Sequence, residues 1–207
     1  GRKQPNVRVV ASLFPLILGT FVRKDSPIKT FADLKGKRIP SKYTKQKISG
    51  LFSRALMATA GVSMKDVKPF PVASGVRAIE AFMAGKIDAV NFSLSSGKTR
   101  QAHASVGGIR YLSVDKTPEA LATLQKFAPG AVLDIVNPSP RFPGVDRPIN
   151  TIYAPFIVNA STHTPNELVY KVVKAIYENK AKMITTHKAF GGFNPRKINR
   201  DLGLPYH

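Results

Sequence analysis

Cysteine is absent from the 207 residues, which removes disulfides, thiol catalysis and Cys-ligated metals together. Acids are scarce. Twelve Asp and Glu stand against 32 Lys and Arg, and no two carboxylates form an obvious catalytic pair. The four histidines, His103, His163, His187 and His207, lack the spacing of a metal site. There is no G-x-S-x-G, and SSGK (95–98) and GGF (191–193) are too short for a phosphate loop, whose Gly-x4-Gly-Lys spacing is missing. The expectation is a protein without catalysis, cofactor or metal. Long apolar runs are also lacking: VVASLFPLILGTFV (9–22) holds Pro and Gly and is too short to span a bilayer.

What is present is enough apolar material for a folded globule. Hydrophobic residues make up 43%, mean hydropathy is −0.10, and the length suits one domain or two small lobes. The net charge of +20 predicts attraction to anions, whether nucleic acid, anionic lipid or small acids. The basic residues run from Arg2 to Arg200 with no block longer than KGKR (35–38). A dedicated nucleic-acid binder concentrates them on one face or in a tail, so the plainer reading is a basic solvated surface.

The recurring unit is a short apolar strand followed by an amphipathic helix. VRVVASL (7–13) and LGTFVRK (18–24) read as two adjacent strands. A helical turn follows at 30–39, with Thr30 as cap and Gly36 as its end, before a short strand at Lys37–Ile39. Helices are predicted at 46–60, at 75–84 behind a Ser74 cap, from Ser96 to about Ser105, and at 117–127 with Thr117 as cap and Pro118 at its first position. Strands are predicted at 67–72, 86–94, 108–114, 131–136 and 150–161. Residues 128–148, with Pro129, Pro138, Pro140, Pro143 and Pro148, read as a long connection. A last long helix is predicted at 164–184, capped by Thr164 with Glu167 at N3, and a short one near 195–202. Such alternation argues for an α/β protein with mostly parallel strands.

The order of phrases then resembles a family. VRVVASLFPL, FVRKDSPIKTFADLKGKRI, AGVSMKDVKP, AFMAGKIDAV, GGIRYLSV, NELVYKVVKAIYENK and LGLPYH, across essentially the whole chain, look like the TAXI-type solute receptors of TRAP transporters. The resemblance implies an α/β fold of the periplasmic-binding-protein class II shape, with mixed or parallel sheets in two lobes. The lobes would be 1–39 (part of lobe one), 40–115 (lobe two) and 116–207 (crossover and return to lobe one). It implies a periplasmic, extracytoplasmic protein that captures a small organic anion such as a dicarboxylate or acidic amino acid and delivers it to membrane subunits. It further implies a chain shortened at its N-terminus, with lobe one incomplete. The rival readings are a basic nucleic-acid-associated protein and an enzyme on the same two-lobe fold.

The site expectation starts from SKYTKQKISG (41–50). In an open α/β sheet, ligands sit beyond the carboxyl ends of strands, against helix N-termini whose free N–H groups favour anions. First turns usually carry acids, yet here Lys42, Lys45 and Lys47 cluster and no acid is present. Either these lysines fan into solvent or they face a carboxylate. Thr44, Gln46 and Lys47 are the candidates, with Tyr43 as a ring wall. The family commonly has a Gly-Ser-Gly-Thr-like turn here, where this chain has Gln46, Lys47, Ile48 and Ser49, so recognition through side chains is expected. From KIDAVNFSLSSGK, Phe92, Ser93, Ser95 and Ser96 are expected at the pocket edge, with Ser95 or Ser96 also capping a helix. Arg77 is a candidate carboxylate clamp, or an exposed arginine on an amphipathic helix. Phe14 would face the cleft from lobe one, or belong to the core.

Overall fold

The computed structural model describes residues 4–207. In chain order the elements are β1 (Val7–Arg23), β2 (Arg38–Lys42), α1 (Lys47–Ala58), β3 (Lys68–Val72), α2 (Gly75–Met83), β4 (Val90–Ser93) and α3 (Gly97–Ser105). They continue as β5 (Ile109–Tyr111), α4 (Pro118–Phe127), β6 (Val132–Val136), β7 (Ile149–Ser161), α5 (Asn166–Glu178) and α6 (Lys180–Thr186). Short 3-10 turns occupy Ala32–Leu34, Lys188–Gly192 and Pro195–Lys197. The α/β expectation with mixed sheets is met. Among the described strand pairs the parallel kind is not the majority: β2 and β3 are parallel, whereas β4 and β5 run antiparallel to β1, and β6 to β7. A parallel pair needs a crossover. Helix α1 supplies one between β2 and β3, while β6 and β7 are joined by the proline-rich loop and fold back.

The chain divides into a larger unit, Ile17–Tyr153, and a smaller one made of the residues up to Leu16 with Ala154–His207. The change of unit falls inside β1 and β7. Residues 7–13 and 18–24 are one strand of 17 residues rather than two. Gly19 does not break it, because the missing side chain makes room for a neighbour: a Cβ there would lie 2.8 Å from the Tyr111 ring.

In the larger unit, Phe21 and Phe82 meet edge to face with ring centroids 5.2 Å apart, and Phe21 meets Tyr111 at 5.6 Å. Ile79, Ile87, Leu94, Ile109 and Val136 complete this core. Three of the expected caps form. The side chains of Ser74, Ser96 and Thr117 accept from the amides of Arg77, Thr99 and Ala120. Gly61 and Gly85 follow α1 and α2 with φ of 67° and 69°. The turn at 30–39 is held the other way round from the expectation. The Asp33 carboxylate accepts from the amides of Lys29 and Thr30 and from the Thr30 hydroxyl, since an ionised acceptor serves several donors at once. Arg38 ties the start of β2 to the chain ahead of β4, its Nη2 lying 2.6 Å from Asp88 Oδ1. Burial works to raise the Asp88 carboxyl, but the side-chain and backbone donors of Arg38 and its charge outweigh that and hold it below the usual carboxylate value.

In the smaller unit, the first half of β1 and the residue before it are tied to two partners. The amide of Thr162 donates to Asn6 O at 2.8 Å, and the C-terminus runs along the strand, with Val9 N to Pro205 O and His207 N to Val9 O both at 2.9 Å. Val10, Ala11, Leu13 and Phe193 form the buried cluster, on which Val169, Val173 and Ile176 of α5 pack. The helix expected over 164–184 is broken at Asn179, whose Nδ2 donates to Ala175 O at 2.8 Å and takes a carbonyl of the last turn of α5. Thr164 does not cap it. Pro165 holds the N-cap position and no side chain bonds to the first amides. Among the described residues no helix is long and apolar enough to cross a membrane.

Candidate functional site

Three strand-to-helix corners of the larger unit come together at Gly75. The first leaves β2 through Lys42 and Tyr43, whose φ angles of 63° and 45° are both left-handed. Two successive non-glycine residues in that region are strained by about 1–3 kcal/mol each, a feature typical of ligand-contacting turns. The loop is anchored to the end of β3: the amides of Thr44 and Lys45 donate to Val72 O (3.4 Å) and Ala73 O (2.9 Å). The Gln46 side chain then reaches across, its Oε1 accepting from Gly75 N at 2.8 Å. So the first amide of α2 is occupied by a side chain of the preceding corner.

The second corner, Ala73–Ser74, starts α2. Its Ser74 hydroxyl takes the Arg77 amide at 3.4 Å. The third leaves β4 through Phe92 and Ser93. A Cβ on Gly75 would lie 2.5 Å from the Phe92 ring and 3.3 Å from Gln46 Oε1, so only glycine lets helix, glutamine and ring meet without a shift. Beyond Phe92, Thr99 Oγ1 donates to Ser93 O at 2.7 Å, while Ser96 Oγ accepts from Thr99 N and donates to Thr99 Oγ1, both at 3.0 Å. Ser96 is therefore a structural cap whose hydroxyl is engaged. The side-chain hydroxyls of Ser93 and Ser95 make no hydrogen bond among the described residues, and Ser95 is exposed.

The expected residues thus have different fates. Gln46 and Phe92 share one contact point, while Thr44 and Ser95 sit on the connecting loops, Lys47 opens α1 and Ser93 closes β4. Tyr43 is no exposed wall: it is 1% exposed and packs in the core beneath Gly50, where a Cβ would come 2.9 Å from its ring. Burial pushes its hydroxyl well above the usual tyrosine value, so it stays protonated. Arg77 is held by Glu80, Nη1 to Oε2 at 2.6 Å, on an exposed surface. Phe14 lies in the smaller unit, stacked on the half-exposed Phe156 at 5.1 Å and edge-on to Phe190 at 5.2 Å, and packs partly buried against the cluster of Val10, Ala11, Leu13 and Phe193. Sequence reading missed Gly75. A Ser-Gly pair opening a helix was the available signal, but nothing local reveals that an aromatic ring from another strand needs that space.

Acids are missing from all three corners. Residues 40–47, 73–77 and 92–98 contain no Asp or Glu but include Lys42, Lys45, Lys47, Arg77 and Lys98. Three helix N-termini and five cations make this surface favourable to negative charge. Elsewhere, the His103 ring Nδ1 accepts from Ile109 N at 3.3 Å, a structural bond, and among the described residues no three of His, Asp and Glu gather as a metal site would need.

The sequence pattern of the NMT1-like family matches residues 1–207. In fold, the chain is similar to the alkanesulfonate-binding protein SsuA from Xanthomonas axonopodis pv. citri bound to MOPS, at 20% identity and a TM-score of 0.49, over 96% of this chain and 59% of that one. It is similar to the periplasmic aliphatic sulphonate binding protein SsuA from Escherichia coli at 17% identity and a TM-score of 0.47, over 90% and 54%. It is also similar to holo ArgBP from T. maritima at 16% identity and a TM-score of 0.47, over 87% and 62%. The chain therefore spans less than two thirds of the length of each.

Proposed function

The chain belongs to the NMT1-like family, and on that footing we propose that it is the extracytoplasmic solute-binding receptor of a membrane transporter. It captures a small organic anion and hands it unchanged to membrane subunits. The observation that carries this reading is the convergence at Gly75 of three corners free of carboxylates. Lys47, at the first position of α1, and the free hydroxyls of Ser93 and Ser95 contact the anion. Gln46 and Phe92 shape the floor, the ring offering an apolar face to the body of the solute. Thr44 contributes from its loop, whose backbone β3 already fixes. The order of sequence phrases supports the finer assignment to a TAXI-type receptor of a TRAP transporter, with a dicarboxylate or acidic amino acid as solute.

The test is calorimetry and thermal melting of the 207-residue chain with succinate, malate, aspartate and glutamate at low salt. A ligand at a hundred times its Kd raises stability by about 2.7 kcal/mol. Lys47→Gln weakens the bound acid about tenfold, the loss of one charge-assisted contact. If no acid shifts the melting temperature, the reading is wrong. The net charge of +20 favours one competitor, nucleic-acid binding. That would show as DNA affinity falling steeply with the logarithm of salt concentration, whereas a small carboxylate gives a shallow slope.

A further inference from the structure

A second basic feature shares Lys42 and Tyr43 with the first corner but is lined by Gly50 and Arg54 of α1 rather than by Gln46, Gly75 or Phe92. Between the end of β2 and the α1 face bearing Gly50 and Arg54 is a cavity of about 260 Å3, to which Ser41, Lys42 and Tyr43 also contribute. Its remaining walls are Met64 and two prolines. No carboxylate lines it. Its two charged side chains, Lys42 and Arg54, are both cations, and neither makes an ion pair or a side-chain hydrogen bond among the described residues. Two other arginines of the larger unit are ion-paired, Arg38 with Asp88 and Arg77 with Glu80.

Two cationic donors therefore line one space with nothing to receive them. Arg54 and Tyr43 are brought together over Gly50, where a Cβ would lie 3.5 Å from Arg54 Nη1 and 2.9 Å from the Tyr43 ring. The Tyr43 hydroxyl is buried and out of reach of the cavity, so its ring is wall and not a donor. Lys42 reaches the cavity from a left-handed backbone position, φ 63°, that a lysine adopts only when the surrounding structure enforces it. Two like charges in one concavity repel, and a multivalent anion removes that repulsion.

We propose that this cavity is a second anion seat, separate from the Gly75 junction, for a small oxyanion bearing two or more negative charges. Arg54 grips it as a planar fork and Lys42 acts as a point charge. The same oxyanion chemistry comes either as free inorganic phosphate or as the terminal group of a phosphate monoester.

The test is titration of the full chain with inorganic phosphate, and separately with glycerol phosphate, against chloride at matched ionic strength. Saturable binding at one site is expected. It weakens at least tenfold in Arg54→Gln and in Lys42→Gln. Lys126→Gln, an exposed lysine on α4, removes the same charge at a distance and leaves binding unchanged. Binding of phosphate alone identifies a free-ion seat, and equal binding of the ester identifies a seat for a terminal group. Non-saturable binding, or equal weakening by Lys126→Gln and Arg54→Gln, overturns the proposal, because general surface charge then suffices. Arg54→Gln leaves the response to organic acids intact while Lys47→Gln leaves the phosphate response intact, so the failure of either site is told from that of the other.

Discussion

The two units use the same materials and reach different depths. In the larger one, Phe21, Ile79, Phe82 and Leu94 are wholly inaccessible to solvent, because strands and helices cover them from several sides. In the smaller one, α5 packs Val169, Val173 and Ile176 inward, yet not one of its residues is buried. Leu168 and Tyr170 on the same helix are more than half exposed, at 52% and 64%. Helical periodicity states which side faces inward. How much covers that side is decided by neighbours.

The sharpest way to break this contrast is to make equivalent truncations in both units. Phe21→Ala removes a fully buried ring with two aromatic partners and lowers unfolding free energy by about 3–5 kcal/mol. Leu168→Ala, on the exposed flank of α5, changes it by less than about 0.5 kcal/mol. Urea denaturation reads both, and similar losses would show that the flank of α5 is covered in solution.

A smaller effect is expected at the junction. Gly75→Ala drives a methyl group into the Phe92 ring and costs about 1–3 kcal/mol. Adding Phe92→Ala vacates that space, so the double variant loses less than the sum of the two single ones. Strict additivity would mean that ring and glycine do not touch.

The smallest comparison sets one cap against another. Ser74→Ala, in the larger unit, loses a hydrogen bond to the first turn of α2 and costs about 1 kcal/mol. Thr164→Ala, in the smaller unit, is near neutral because that side chain caps nothing. A loss at Thr164 equal to that at Ser74 would restore the sequence expectation for α5.

Legibility followed the range of the interactions. Ser74 and Thr117 are legible as caps, and Ser96 as one of two candidates beside Ser95, because a cap involves residues three apart. Thr30 and Thr164 were misread for the same reason in reverse. The motif fits both, but Asp33 outcompetes Thr30 as an acceptor, and Pro165 occupies the position that Thr164 would need. The candidate site divides in the same way. Its lack of acids and its wealth of lysine stand in the sequence, whereas the bond from Gly75 to Gln46 joins residues 29 apart in the chain.

The sequence alone determined the alternation of strands and helices, the placing of helix starts and the positive character of the corners, since each depends on near neighbours or on composition. The tertiary structure decided that residues 7–23 are one strand, that Tyr43 turns inward, that Arg77 is held by Glu80, and that three corners meet at a single glycine. Those outcomes depend on which surfaces compete for the same space and the same donors, and that competition exists only once distant segments are brought together.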